Sequence, residues 1–447
     1  MHKQRYAAVG TGTRIPMFID PIADKYHDHC ELVALCDLSQ TRMEYHRQRL
    51  RDEYHYEEIK TYTANDFDRM LLETHPDTVI VCTVDALHRD YIIRSVQQGC
   101  DVICEKPLTV DAESCRAILD AVAESERNVR LTFNVRWQPG PTKIREMIQQ
   151  GTIGEVKHVQ MEWLLDCEHG GSYFQRWHSN KANSGGLLVH KATHHFDLVN
   201  WWIDSIPQQV FALGSLAYYG RANAVSRGDE AWASYDRYTG KARIDDPFRI
   251  DLSQNERHKA LYLDAEKDSG YIRDRNVFRE DIDIEDIMSV LVKYRSGATL
   301  SYHLNAFSPW KGYRVGIVGD HGRLEYEETY RPRKMESAQE DAATDDPADM
   351  NARQRKLVYL PLFGAGKEIP IIAASGGHGG GDPLIQEQMF SANPPADTYG
   401  RNAGHEQGAA SAIIGIAANQ SIATGAAVEI ADLIALRPAA TRLGELI

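Results

Sequence analysis

Cys104-Glu105-Lys106-Pro107-Leu108 closes an apolar run that begins at Asp101. The pattern sets a lysine at the edge of a buried strand, because Pro107 cannot donate to a sheet ladder and biases Lys106 toward extended backbone. In open α/β sheets the carboxyl-end rim is where ligands bind. A lysine there works as a proton donor or acceptor when its surroundings lower its pKa. A lone Lys-Pro is equally the mark of a surface lysine capping a strand, so its company decides. That company is a row of polar residues at the ends of other apolar runs. Gly10-Thr11-Gly12-Thr13-Arg14 follows the first run, Asp37 ends the second, Thr83 and His88 close the fourth, and Asn134 closes the sixth. Gly10 permits a tight turn, and Gly12 lets backbone approach a pyrophosphate at the positive end of the next helix. Ile15 replaces the third glycine of the usual fingerprint, which bears on helix–strand packing more than on phosphate contact. Asp37, 25 residues beyond Gly12, is placed to accept hydrogen bonds from an adenosine ribose, favouring NAD over NADP. Arg42 softens that preference. Taken singly, Thr83, His88 and Asn134 read as structural, with His88 capping the helix it begins; as a row they describe a dinucleotide site with Lys106 at its reactive end.

The elements that position these residues alternate. Strands are expected at Arg5–Gly10, Leu32–Asp37, Ile59–Thr63, Thr78–Val84, Asp101–Glu105 and Val129–Phe133, with helices beyond Pro16 and at Asp66–Glu73, Arg89–Gln98 and Ala112–Ser125. Strand–helix alternation means βαβ units and a parallel, doubly wound α/β sheet. A chain of 447 residues accommodates two domains, read here as 1–137 and 138–447. In the second, Gly154–Leu165, Met288–Tyr294, Ala298–Ala306 and Tyr313–Gly319 read as strands, and His405–Gly425 as an Ala-rich helix. Charged excursions are expected near 220–285 and 331–385. The formal net charge of −14 argues against nucleic acid and anionic membrane as partners. Seven cysteines, an odd number with no CxxC pair, point to reduced thiols in a cytoplasmic protein. No targeting segment or bilayer-length apolar run is expected.

Ser184-Gly185-Gly186-Leu187-Leu188-Val189-His190-Lys191-Ala192-Thr193-His194-His195-Phe196-Asp197 adds the second chemical cluster. Together with Gly10-Thr11-Gly12, Asp37, Cys82-Thr83…His88 and Glu105-Lys106-Pro107, it makes the chain resemble the Gfo/Idh/MocA family of NAD(P)-dependent oxidoreductases. The likeness is good over residues 1 to about 215 and returns at Ile287–Glu328 and Gly404–Leu433. It implies a Rossmann domain and a C-terminal α/β domain whose large, mostly antiparallel sheet often mediates oligomerisation, here a dimer or tetramer. It also implies a cofactor site of Gly10, Gly12, Thr13, Arg14, Asp37, Thr83, His88, Glu105, Lys106 and Asn134. Lys106 and His194 would handle the hydroxyl proton while hydride passes to nicotinamide. The family pattern has an aspartate four residues before that histidine, and this chain has His190. On a continuous helix His190, His194 and Asp197 share one face. A histidine in place of the carboxylate is expected to destabilise protonated Lys106, making His190 a third catalytic candidate.

The His190/His194 spacing also matches helical metal ligation, although clustered histidines equally bond sugar hydroxyls or pack, as His195 is expected to do; no metal is assigned. Arg176, Trp177, His178, Lys191 and Asp197 are expected to line a carbohydrate pocket. His378, in the glycine loop 376–382, is either a pocket residue or part of a flexible turn. The activity expected from the resemblance is oxidation of a sugar, glycoside or cyclitol hydroxyl, at C3 in one version. The alternative is glycoside cleavage through transient oxidation with retained NAD. A non-enzymatic dinucleotide sensor would require Lys106 and His194 to lie apart.

Overall fold

The computed structural model describes residues 3–56, 59–330, 354–372 and 374–446. Six strands alternate with helices in the first third: β1 (Gln4–Val9), β2 (Cys30–Asp37), β3 (Lys60–Thr63), β4 (Thr78–Val81), β5 (Asp101–Cys104) and β6 (Val129–Leu131). Every residue of β4 is buried, as is β1 from Tyr6 onward. Such runs must be covered on both faces, which parallel sheets achieve with flanking helices. The strands pair in parallel in the order β6-β5-β4-β1-β2-β3. A seventh, antiparallel edge strand, β15 (Ala403–Gly404), comes from far down the chain and pairs with β6. The first sheet is therefore completed by residues well beyond position 137.

The remaining strands are β7 (Val156–Asp166), β8 (Pro207–Ser215), β9 (Ile287–Tyr294), β10 (Thr299–Ser308), β11 (Gly312–Gly319), β12 (Gly322–Thr329), β13 (Gln354–Pro361), β14 (Lys367–Ile369) and β16 (Val428–Glu429). They form one sheet in the order β14-β13-β12-β11-β7-β10-β9-β8-β16. All pairs are antiparallel except β7–β10. Strict alternation of buried and exposed positions in β9 shows one face packed and one open. The packed face lies under Thr193–Ile203 and His405–Thr424, both rich in buried residues.

Two expectations change. The His190–Asp197 stretch is not one helix: Leu187–His190 ends, Lys191-Ala192 turns, and a new helix runs from Thr193. The excursion at 220–285 consists of short helical turns, and its stretch from Glu256 to Asp268 reaches back onto the first domain. Residues 331–353, the heart of the second expected excursion, lie outside the described residues.

Candidate active site

The glycine turn is built as its spacing demands. Gly10 has φ +88, and a Cβ there would lie 2.5 Å from the Cys82 carbonyl and 2.7 Å from Thr83 N. At Gly12 a Cβ would meet nothing nearer than the Tyr262 hydroxyl at 3.8 Å. The turn thus leaves a cradle of backbone leading into the helix Pro16–Ala23, whose first residue is the proline that N1 favours. Ile15, at the third glycine position, is fully buried in the apolar core under β1 and β2.

Asp37 does something other than wait for a ribose. Its Oδ2 accepts from Thr11 N (2.6 Å) and Thr11 Oγ1 (2.9 Å), and its Oδ1 from Ser39 N (2.8 Å). Arg42 lies 3.7 Å away. Asp37 therefore ties together the two loops that border the cleft. Thr13 N and Oγ1 lie 3.4 and 3.0 Å from the hydroxyl of Tyr262, and Arg257 donates to the Thr13 carbonyl at 2.6 Å. Arg42 Nε donates to Leu261 O at 2.8 Å. Asp268 accepts from Ser39 Oγ (2.6 Å) and Thr41 N (2.9 Å). The stretch 257–268 is thus fastened across both loops.

Deeper in, Arg14 Nε donates to Glu105 at 2.7 Å and Arg14 Nη1 reaches Asp382 at 3.3 Å. Burial alone would raise Glu105, but Arg14 and Lys106 outweigh it and its carboxyl sits below the usual range. Asp382 also accepts from Asn134 Nδ2 (2.9 Å) and pairs with His378 Nδ1 (2.9 Å). A Cβ at Gly381 would fall 2.4 Å from the Asn134 carbonyl, so only glycine brings the 376–382 loop this close. His378 accordingly belongs to the network around Arg14 and not to a free turn.

Lys106 Nζ donates to the carbonyl of His190 at 2.9 Å. Burial lowers its pKa, opposed by Asp85 and Glu105. Asp85, buried, meets His190 Nδ1 at 2.5 Å. Burial raises the Asp85 pKa and, with Lys106, drives that of His190 well below the ordinary imidazole value. His190 Nδ1 and the Asp85 carboxyl group thus share one short hydrogen bond beside Lys106. Rings close around it: His178 edge-on at 4.2 Å, Trp177 stacked on His178 at 3.6 Å, and Tyr173 edge-on to His190 at 5.6 Å. His194 packs edge-on to Phe133, its Nδ1 buried without a partner. Burial, then Lys106 and Lys191, hold its pKa well below normal. Lys191 Nζ sits 5.0 Å over Trp163. Lys106, His190, His194, Lys191, His178 and Trp177 therefore gather in one recess.

Two expected site residues are buried elsewhere. Asp197 is 1% exposed and forms a bidentate pair with Arg136 at 2.6 and 2.7 Å, with Ser411 Oγ at 3.1 Å. It is a core ion pair, not a substrate ligand. His88 is fully buried between the carbonyls of Pro107 (2.8 Å) and Thr83 (3.3 Å), bracing the Lys106 turn away from the cleft. Thr83 stays at the glycine turn, its N 2.7 Å from where a Gly10 Cβ would stand, with Oγ1 donating to Val84 O at 3.3 Å. His195, expected to pack, stacks 3.7 Å on Trp163 and bonds Tyr302 at 2.7 Å. Among the described residues no cluster of three or more metal-ligating side chains exists. Asp85 carries no motif of its own; its one signal in the sequence is a carboxylate three residues before His88, just after the strand β4.

The NAD-binding Rossmann model of one oxidoreductase family matches residues 4–133, and the C-terminal alpha/beta domain model of that family matches 145–430. The chain belongs to the Gfo/Idh/MocA oxidoreductase family. Among its relatives in that family, YteT of Bacillus subtilis, which carries an oxidoreductase name, is 36% identical over 91% of this chain and 93% of its own. The D-glucoside 3-dehydrogenase of Escherichia coli is 27% identical over 43% of this chain and 52% of its own. The fold of the Caulobacter crescentus aldose-aldose oxidoreductase superimposes with a TM-score of 0.60 at 18% identity, covering 96% of this chain and all of that one. No helix among the described residues is long and apolar enough to cross a membrane.

Proposed function

We propose that this family member is an NAD-dependent dehydrogenase that oxidises a hydroxyl of a sugar or glycoside. The observation that carries the reading is Lys106. It stands at the carboxyl end of β5, half-buried, with its pKa lowered and its Nζ anchored to the His190 carbonyl. The open cradle at Gly12 and the close approach at Gly10 fit a dinucleotide phosphate. Thr13 N and Oγ1, once released from the Tyr262 hydroxyl, would hold it, and the nicotinamide would supply the hydride acceptor. Neutral Lys106 takes the proton of the reacting hydroxyl; the Asp85–His190 pair stabilises the ammonium that forms. His178, His194 and Trp177 orient the ring, the aromatic face stacking on it and the imidazoles bonding its hydroxyls. Glucosides, with the likeness to D-glucoside 3-dehydrogenase, head the substrate panel, and C3 is the first carbon to examine. The exposed leucines Leu213 and Leu291 on the open sheet face support a homo-oligomer.

One observation favours a second reading. Tyr262, Arg257 and Asp268 fasten the excursion across the cofactor loops, which would slow cofactor exchange and suit glycoside cleavage with retained NAD. Purified protein incubated with sugars and aryl glycosides separates the two. A keto-sugar formed in step with free NADH establishes the dehydrogenase. Aglycone release without net reduction establishes the second reading. No saturable NAD binding overturns both.

The same excursion bears on cofactor choice. Asp268 occupies Ser39 Oγ–H and Thr41 N–H, donors at the start of the helix Gln40–Tyr54 that a 2′-phosphate would require. With Asp37 behind it, this corner rejects a second negative charge. Asp268→Asn is expected to lower Kd for NADP by about tenfold, from the relief of one like-charge contact, with little change for NAD. Fluorescence titration reads both, and an unchanged NADP/NAD ratio refutes the assignment.

A further inference from the structure

The chain carries a formal net charge of −14, yet a cavity of about 840 Å³ beside the catalytic recess is lined by five basic side chains and two acidic ones. One wall is Arg176–Asn183, the other comes from the excursion, including Arg237, Lys241, Tyr271 and Arg279. Trp177 is shared with the recess, since its ring stacks on His178, which in turn packs edge-on to His190. Trp177 thus joins the cavity wall to the ring cluster around His190, whose carbonyl holds Lys106 Nζ.

The basic groups are not equally committed. Arg237 is held by Glu266 and Asp274, and Asp281 holds both Arg275 and Arg279. Arg176 donates only to the carbonyl and hydroxyl of Ser172, and no carboxylate among the described residues pairs with it or with Lys241. Its electrostatic neighbours are a second arginine, Arg273, and the tyrosines 173, 262 and 271. Arg273 is itself turned over the Tyr262 ring with Nε buried and unpartnered. Of the two, Arg176 lines the cavity, and an occupant bearing a planar anion would offset the repulsion its guanidinium feels from Arg273.

We propose that this cavity binds a uronic-acid residue of an oligosaccharide or glycoside substrate, with Arg176 as the ligand of its carboxylate. The inference rests on the carbohydrate reading above. The Arg fork matches a carboxylate bidentately, and the Tyr271 ring in the cavity wall suits the apolar side of a pyranose ring. The cavity size fits at least one sugar beyond the reacting one.

The test is calorimetric binding of a glucuronic-acid disaccharide and of the neutral disaccharide of the same linkage, with and without NAD, to the wild type, Arg176→Gln and Lys241→Gln. The acidic ligand is expected to bind at least about tenfold more tightly, an advantage that weakens with salt. Arg176→Gln should remove most of that advantage and the exposed Lys241→Gln part of it. NAD affinity and melting temperature should stay close to wild type. Equal binding of the two disaccharides, or a preference that survives Arg176→Gln, overturns the proposal. So does tight binding of a nucleoside-diphosphate sugar whose hexose is uncharged in place of the uronide, or an NAD affinity that falls with Arg176→Gln, since the arginine would then serve a pyrophosphate. Loss of NAD binding by the wild type would instead sink the oxidoreductase reading, while the uronide preference without cofactor would still be readable.

Discussion

Lys106→Ala is expected to lower kcat by about a thousandfold, the scale of losing a positioned proton-transfer group together with its charge. NAD binding should change little, because the glycine turn and Asp37 contact neither the lysine side chain nor its carbonyl partner. The wild-type pH profile should carry the signature of the same group. Burial lowers the Lys106 pKa from 10.5, and oxidation needs the neutral amine. The rate should therefore rise with pH through a limb lying below 10.5, and that limb should vanish in Lys106→Ala. Asp85→Asn sharpens the argument. Asp85 is the leading group that supports the ammonium form against burial, so its neutralisation should move the limb to lower pH while slowing turnover in which the ammonium must form. A profile unchanged in Asp85→Asn would mean that the Asp85–His190 pair does not act on Lys106.

Asp197→Ala is expected to cost about 3–5 kcal/mol of stability, the penalty for leaving one partner of a buried ion pair uncompensated. Arg136 is 0% exposed and would lose both bonds to the carboxylate, keeping only Gln407 at 2.9 Å and a long contact to Gly400 O. The pair joins Asn134–Trp137, at the end of the Rossmann domain, to the helix that carries His194. Loss of activity should therefore track unfolding. Denaturant titration should show a lower midpoint, and at temperatures where the variant is folded its KM should stay near wild type. A double change to Arg136→Met and Asp197→Leu should recover much of the stability, because replacing both charges removes the desolvation cost as well as the attraction. Failure of the double variant to recover would show that Gln407 and Ser411 depend on the pair for their own placement.

The sequence alone determined the local parts of this protein. Mostly apolar three- to eight-residue runs separated by helix-length segments favour one arrangement, a parallel sheet covered by helices. The strands β1 to β6 accordingly lie within a few residues of where the pattern sets them. The turn at Gly10 and the stop at Pro107 are dictated by φ and by a missing N–H, properties of single residues. That is why the glycine turn and Lys106 were legible at the outset, and why the family resemblance was carried by those same residues. The second domain was less legible. Its strand β8 and the short β15 and β16 form because distant partners offer a ladder, not because of their own pattern.

Only the tertiary structure decided which polar side chains face one another. His190, His194 and Asp197 fit one helical face by spacing, but the Lys191-Ala192 turn separates them, and Arg136, 61 residues away in sequence, claims Asp197 for the core. Asp85 became the partner of His190 across 105 positions, replacing by a contact in space the carboxylate that the motif lacks. Tyr262 and Asp268 reach the cofactor loops from a charged excursion with no periodicity to read. Charge pairing and burial are properties of positions in space; they follow from where the chain returns, and sequence separation carries no trace of that.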